Sequence, residues 1–161
     1  MSEDSYYSRL LNPLLSQALA YAHSFLRNRH DAEDAVQHAA LRGFEQFDRY
    51  DQERPFKGWW FAILRHCCLD MLRARKANPV VSVKDGTVPD GVTAEPSDWE
   101  ELTDAMDTLS LDHREILRLR YFADLNYEEL AGALLIPRGT VMSRLHLARK
   151  SLAAKLQEHS N

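Results

Sequence analysis

The chain has 161 residues, of which 45% are hydrophobic and 27% are charged, and its formal net charge at pH 7 is −4. This length suits one domain or two small ones, and no apolar run approaches the roughly 20 residues that a membrane span needs, which excludes membrane insertion. The two cysteines, Cys67 and Cys68, are sequence neighbours, which excludes a disulfide framework and is typical of reduced thiols in a cytoplasmic protein.

The charge of the chain is segregated into blocks. Residues 1–48 carry −3, residues 49–76 carry +4, residues 77–112 carry −8 and residues 113–157 carry +4. Two basic segments that flank an acidic one are typical of a protein that touches an anionic polymer at two places through an acidic connector.

The first half is predicted to contain three helices. Residues 8–28 have apolar side chains at three-four spacing, with a bend or delayed start at Asn12-Pro13. A second helix, capped by Asp31, runs to about Phe47, and its inner stripe is Val36, Ala40, Phe44 and Phe47. A third helix runs from Pro55 to about Lys76; its apolar positions run nearly all round, so we expect it to be central.

Residues 78–96 are predicted to be a flexible acidic linker, because they hold three prolines, two glycines and no helical stripe. A short strand at Val80–Val83 is an alternative for part of it. We expect this segment to be disordered or extended in the free protein.

The second half is predicted to contain four helices, at about 97–109, 112–122, 127–134 and 138–157. Ser97, Asp112 and Asn126 each have a glutamate three residues later, the spacing of a capping box. The predicted fold class is therefore all-α.

The segment NYEELAGALLIPRGTVMSRLHLARKSL predicts a helix-turn-helix, in which the second helix lies in a DNA major groove. The inner stripe of that helix is Val141, Leu145, Ala148 and Leu152. Its outer or flanking residues are Arg138, Thr140, Met142, Ser143, Arg144, His146 and Arg149. Arginine suits phosphates and guanine edges because its fork donates two parallel hydrogen bonds. The alternative is a solvated face on a small helical bundle.

Four stretches resemble the extracytoplasmic-function group of the sigma-70 family, in the order found in that family. They are DAEDAVQHAALRGFEQFDRYD, RPFKGWWFAILRHCCLDMLRARK, LDHREILRLRYFADLNYEELA and IPRGTVMSRLHLARKSL. The resemblance implies two small helical domains joined by a flexible acidic linker: a core-binding and −10-melting domain over 1–77, a linker over 78–96, and a −35-reading domain over 97–161. It also implies a transcription initiation factor that binds bacterial RNA polymerase core through the β′ clamp coiled coil and the β flap. Promoter DNA and an anti-sigma factor are its further expected partners.

The resemblance also assigns residues to these partners. The positions that match the docking surface for core polymerase are Asp34, Gln37, His38 and Leu41. The expected −10 DNA contacts are Arg54, Phe56, Lys57, Trp60, Phe61, Arg65, His66 and Arg73. The expected −35 contacts are Arg120 and Tyr127, together with the outer residues of the second helix of the helix-turn-helix. Of the two adjacent tryptophans, we expect Trp59 to be mainly buried and Trp60 or Phe61 to be exposed for stacking on a base, an interaction worth about 1–3 kcal/mol.

No metal site, cofactor or catalytic activity is predicted. The neighbouring His66, Cys67 and Cys68 lack ligand spacings such as C-x₂-C, and no nucleophile comes with a recognisable base.

Two alternatives to a sigma factor stay open at this point. The first is a sigma-like decoy that binds an anti-sigma factor without directing transcription, which Met142 and Leu147 favour because the family often has basic residues there. The second is a dimeric helix-turn-helix regulator, which leaves residues 1–76 unexplained.

Overall fold

A computed structural model of the protein describes residues 2–78 and 84–160. Within these residues the chain forms α-helices and two 3-10 turns, at Asn12–Leu14 and Phe47–Arg49, and no strand. The helices are α1 (Glu3–Leu11), α2 (Leu15–Leu26), α3 (Arg29–Glu45), α4 (Phe56–Ala77), α5 (Pro96–Asp107), α6 (Leu111–Tyr121), α7 (Tyr127–Leu134) and α8 (Arg138–Ser160). The predicted all-α class is confirmed, and the strand considered at Val80–Val83 lies outside the described residues. None of the described helices is long and apolar enough to cross a membrane.

The first domain (α1–α4) is organised around α4, as its all-round apolar pattern predicts. Helix α4 packs against both α2 and α3. Its side chains Trp60, Phe61, Leu64 and Cys68 are all 0% exposed. Burial of this kind contributes about 1.5–3 kcal/mol for each large apolar side chain, so α4 is the main source of stability in this half.

The helix boundaries of the first half differ from the prediction at two places. The helix expected over 8–28 is two helices separated by the 3-10 turn at Asn12–Leu14, because Pro13 has no N–H to donate to a continuous helix. The N-cap of α3 is Asn28, whose Oδ1 accepts from the backbone N of Asp31 at 3.0 Å. Asp31 as the cap was therefore wrong: Arg27 is in the left-handed region, with φ 58°, so the chain turns three residues earlier.

In the second domain (α5–α8) one of three predicted caps is confirmed. Asn126 and Glu129 form a complete capping box, with reciprocal bonds of 2.8 and 2.9 Å. Ser97 is not a cap, because it already lies inside α5, which begins at Pro96. Proline suits the first helical position since that position needs no N–H donor. Asp112 is not a cap either; the Ser110 side chain accepts from the backbone N of His113.

The connector is irregular over residues 84–95, as predicted, but it is anchored to the first domain. Asp85 Oδ2 accepts from the backbone N of Arg29 at 2.7 Å. Thr87 Oγ1 lies 2.8 Å from Nε2 of His23, which is 2% exposed. The composition of the linker gives no indication of these long-range bonds.

We expect the burial of His23 to make the free energy of unfolding fall as the solution is acidified below about pH 6.5. Burial lowers the pKa of His23, so the unfolded chain, with a histidine pKa of about 6.5, binds a proton at a pH where the folded chain does not. The free energy of unfolding should therefore decrease between about pH 7 and pH 5, measured by urea denaturation. His23→Gln cannot titrate and should flatten this slope; an unchanged slope in that variant would contradict the assignment.

The two domains pack against each other along α4. Helix α7 lies against α4, and α6 contacts α2. Arg27 pairs with Asp104 of α5 at 2.9 Å, and Arg65 pairs with Glu115 of α6 at 2.9 Å. The second domain therefore sits beside the start of α4, where the −10 residues were predicted.

Candidate nucleic-acid interface

The loop before α4 is closed on itself, which fixes the direction of its side chains. Tyr50 Oη donates to the backbone oxygen of Arg54 at 2.5 Å, and Asp51 Oδ1 accepts from the backbone N of Glu53 at 3.0 Å. Pro55 follows with φ −59°, the value that its ring enforces. The Arg54 side chain is 75% exposed, and its ion pair with Asp51, at 3.8 Å, is exposed and weak enough for an anionic ligand to replace.

Trp60, Phe61 and Phe56, which were assigned to −10 DNA, are buried in the first domain. Trp60 and Phe61 are 0% exposed and Phe56 is 8% exposed. Trp60 Nε1 donates to Tyr7 Oη at 3.1 Å, and the Phe61 ring meets Tyr21 edge-on at 5.8 Å. The expected exposure of these rings was wrong. Trp60 and Phe61 point about 100° apart around α4, and the core of the first domain covers an arc of the helix wide enough to bury both.

Trp59 is the partly exposed tryptophan of the pair. Its ring lies 5.1 Å from Tyr50 and 5.7 Å from Phe56, and it lines a groove together with Arg54 and Pro55. An aromatic face beside a basic side chain is what stacks on unpaired bases. Sequence reasoning placed Trp59 in the core, because the apolar pattern of α4 runs nearly all round and does not show which tryptophan faces α2 and α3.

Further along α4, two predicted contacts are open to solvent. His66 is exposed. The Arg73 side chain is 74% exposed and lies 3.1 Å from Asp70, one turn away. Such an exposed ion pair is worth at most about 1 kcal/mol, so a phosphate can displace Asp70.

Two other predicted contacts, Lys57 and Arg65, are held by the second domain. Lys57 Nζ donates to the backbone oxygen of Asp124 at 3.0 Å. The side chain of Arg65 is only 21% exposed and pairs with Glu115. In this arrangement neither group is free to bind a phosphate.

The outer face of α3 gathers the residues assigned to polymerase docking. Gln37 and His38 are exposed, the Asp34 side chain is 42% exposed, and Leu41 is 63% exposed. Phe44, predicted on the inner stripe, is 42% exposed beside them. A large apolar pair on a polar face is typical of a surface that meets another protein.

The helix-turn-helix is formed by α7 and α8. Leu135 ends α7 in the left-handed region, with φ 56°, and the backbone N of Ile136 donates to the oxygen of Ala131 at 3.2 Å, so the chain turns sharply before Arg138. The predicted inner stripe of α8 is confirmed: the residues that are 8% exposed or less are Val141, Leu145, Ala148 and Leu152.

The outer side of α8 carries most of the predicted −35 residues. Those exposed to solvent are Arg138, Met142, Ser143, His146 and Arg149, whereas Thr140 and Arg144 are half-buried. Arg144 Nη1 lies 4.0 Å from Asp112 of α6, which partly neutralises its charge. Arg149 Nε donates to Tyr121 Oη at 3.1 Å, which ties its guanidinium to the last residue of α6.

Three −35 residues that are distant in sequence meet at the start of α8. Arg120, Tyr127 and Arg138 line an open cavity of about 380 Å³, together with Asn126 and Glu128. Arg120 Nη1 is held by the backbone oxygen of Leu125 at 3.1 Å, which fixes its direction. The guanidinium of Arg120 and the phenol of Tyr127 can bind a phosphate, while Arg138 begins the helix that faces the major groove.

The two cysteines lie outside these surfaces. Cys67 and Cys68 are buried free thiols, and burial raises the pKa of both. Among the described residues there is no group of three or more His, Cys, Asp or Glu side chains that could hold a metal ion.

These features define an all-helical, two-domain DNA-binding protein with a helix-turn-helix in its second domain. A model of sigma-70 region 2 matches residues 10–78, and a model of sigma-70 region 4 matches residues 99–152. Similar curated proteins include the ECF RNA polymerase sigma factor SigL of Mycobacterium tuberculosis, 35% identical over 134 residues that cover 79% of this chain and 75% of SigL. The ECF RNA polymerase sigma factor SigW of Bacillus subtilis is 26% identical over 148 residues, which cover 83% of this chain and 79% of SigW.

Solved structures have the same fold. The sigma factor RpoE of Bartonella quintana, in complex with the anti-sigma factor NepR, superposes with a TM-score of 0.74 at 25% identity, covering 94% of this chain and 96% of RpoE. CnrH, in complex with the cytosolic domain of CnrY, gives a TM-score of 0.74 at 22% identity over 96% of this chain and 90% of CnrH, which supports the fold alone.

The chain belongs to the extracytoplasmic-function sigma factors of the sigma-70 family. It is a transcription initiation factor that binds RNA polymerase and directs it to promoters. The alternative of a simple dimeric regulator is set aside, because region 2 accounts for the first half of the chain.

Proposed function

We propose that three surfaces, on α3, α4 and α8, bind the polymerase, the −10 element and the −35 element respectively. The outer face of α3 docks on the β′ clamp coiled coil through Asp34, Gln37, His38 and Leu41. The exposed Leu41, with the exposed Phe44 one turn away, is the observation that carries this assignment, because two large apolar side chains next to each other on a polar helix face are typical of a protein-contact surface.

The −10 element is bound by what we name the −10 edge, which is Arg54, Lys57, Trp59 and Arg65. His66 and Arg73 extend this edge along α4 and contact the strand further on. Trp59 replaces Trp60 and Phe61 as the stacking residue, since a fully buried ring has no face to offer a base. The basic groups position the strand through its phosphates and carry little sequence information.

The −35 element is read by α8. The N-terminal residues of a recognition helix face base edges, which places Arg138, Met142 and Ser143 nearest the bases. Arg120, Tyr127 and Arg149 are suited to backbone phosphates because they flank this helix. Thr140, Arg144 and His146 lie at its margins.

Regulation by an anti-sigma factor is the remaining part of the proposal. It is supported by the similar sigma factor RpoE, which was solved in complex with the anti-sigma factor NepR. We propose domain limits of 1–77 and 97–161, with 78–96 as the linker. The protein acts in the cytoplasm and has no catalytic activity of its own. Its role is to determine which promoters the polymerase binds.

Leu41→Ala is expected to weaken binding to core RNA polymerase by about 1–2 kcal/mol, the scale of a hot-spot truncation, and to leave the fold intact. Leu147→Ala is the matched control, because Leu147 is 54% exposed on α8 and lies outside the α3 surface. Fluorescence anisotropy of the labelled full chain with purified core measures both. Equal affinities for the two variants would contradict docking through α3.

A further inference from the structure

A cavity of about 240 Å³ lies among α2, α4, α6 and the connector, away from the three surfaces proposed above. Its apolar lining residues are Phe25, Leu69, Leu72 and Leu111. Its cationic lining residues are Arg27, Arg75, Lys84, Arg114 and Arg118. None of these described residues is assigned to polymerase or to promoter DNA, so the proposed function does not account for a cluster of cations at this place.

Positive charge exceeds negative charge around the cavity. Among the described residues of its lining, Asp107 alone is acidic. Two further carboxylates pair with lining cations from outside. Asp31 Oδ2 lies 2.7 Å from Arg75 Nη2, and Asp104 Oδ1 lies 2.9 Å from Arg27 Nη1. Five cations and these three carboxylates leave an excess of two positive charges, which a phosphoryl dianion neutralises.

Two guanidinium groups of the lining have buried donors without a partner. Arg118 is 2% exposed; its Nη2 donates to Asp107, but its Nε has no hydrogen-bond partner within the described part of the chain. The same holds for Nε of Arg75. Burial lowers the pKa of Arg118 despite the opposing effect of Asp107, and the charge of Arg114 lowers it further. A buried, unpaired donor of a charged group is costly, and an anion in the cavity would offset this cost.

Arg114 is the lining cation that has no ion pair with a carboxylate among the described residues. Its Nη1 donates to the backbone oxygen of Asp107 at 3.3 Å, and the residue is half-buried. It lies one turn into α6, which begins at the lining residue Leu111, and the start of a helix favours an anion. Asp112, in the same turn, lies 4.0 Å from Arg144 and does not line the cavity.

We propose that this cavity binds a phosphoryl dianion, either inorganic phosphate or the phosphoryl group of a small phosphate ester. Arg114 supplies a guanidinium fork that can donate two parallel hydrogen bonds to it, and Arg118 supplies a buried donor. The cavity is smaller than the roughly 300–1,000 Å³ of sites for drug-sized ligands, so it fits a small ligand and not a nucleic-acid strand. Its apolar walls favour an ester over the free ion.

Isothermal titration calorimetry of the full chain tests the proposal, near neutral pH, in a buffer without phosphate and at constant ionic strength. One probe is inorganic phosphate and the other is phenyl phosphate, which adds an apolar ring. We expect saturable binding of one molecule per chain for both probes. Phenyl phosphate should bind about tenfold more tightly, because the ring leaves water for the walls formed by Phe25 and Leu72. Equal affinities would identify the free ion as the ligand of the site.

Arg114→Gln removes one lining cation and keeps a polar side chain. It should weaken the binding of both probes by about tenfold or more, the scale for losing one charged hydrogen-bond donor. Arg114→Lys keeps the charge and should bind more tightly than Arg114→Gln. Arg49→Gln is the matched control, because Arg49 is exposed in the 3-10 turn at Phe47–Arg49 and does not line the cavity. It removes the same charge and should leave the affinity unchanged, with circular dichroism as the check that every variant is folded.

The proposal is overturned if neither probe shows saturable binding to the wild-type chain. It is also overturned if Arg114→Gln and Arg49→Gln weaken binding equally, because the effect would then come from net charge alone. A third contrary result is an Arg114→Gln variant that binds phosphate normally and loses affinity for single-stranded DNA, which would assign Arg114 to the nucleic-acid interface. The proposed −10 and −35 surfaces share no residue with the cavity, so their failure would leave these phosphate titrations unchanged.

Discussion

Replacing Trp60 by alanine is expected to lower the free energy of unfolding by about 3–5 kcal/mol, the usual cost of truncating a buried tryptophan. Trp60 is 0% exposed, and its Nε1 donates to Tyr7 Oη, so the variant loses both a large apolar contact and a buried hydrogen bond. Urea denaturation followed by circular dichroism measures the loss. Because single domains are stable by only about 5–15 kcal/mol, this loss is a large fraction of the stability of the first domain.

Trp59→Ala is the matched control one residue away. Trp59 is partly exposed and should contribute less to stability, while its loss should weaken single-stranded DNA binding by about 1–3 kcal/mol. If Trp60→Ala cost no more than the about 0.5 kcal/mol of a surface substitution, the burial of Trp60 would be contradicted.

Arg138→Ala is expected to reduce transcription from a −35-dependent promoter by about tenfold or more, because one arginine bound to a guanine edge discriminates by about 1–3 kcal/mol. Arg138 is the first residue of α8, is exposed, and lines the cavity shared with Arg120 and Tyr127. Run-off transcription with saturating core polymerase measures the change in promoter binding separately from any change in core binding.

Met142→Arg should act in the opposite direction on the same helix. Met142 is 53% exposed and uncharged, so arginine there adds one phosphate or base contact. The slope of log affinity against log salt should steepen by about one unit. Small and equal effects of Arg138→Ala and Met142→Arg would mean that α8 does not face DNA.

Local pattern was sufficient to predict the helix-turn-helix. The range 127–134, the capping box at Asn126 and the buried stripe from Val141 to Leu152 all follow from three-four spacing and the N-cap rule, which depend on residues within one or two turns. Asn28 as the cap of α3 was missed because the turn at Arg27, not the capping preference of Asp31, decides where that helix begins.

The rest of the site depends on contacts between residues that are distant in sequence. Periodicity predicted that α4 is central, but which of its tryptophans is buried depends on how α4 packs against α2 and α3. The pairing of Arg65 with Glu115 joins two domains, and no spacing rule predicts it. The sequence therefore assigned basic residues to the −10 contacts without indicating that the second domain covers two of them, Lys57 and Arg65.

The most direct test of the central claim is run-off transcription with purified bacterial core RNA polymerase, this protein and a library of promoter fragments. The protein is expected to yield specific transcripts that core alone does not produce, from templates sharing one −35 and one −10 sequence at fixed spacing. If the protein binds core and yields no specific transcript from any template, the promoter-directing function is contradicted.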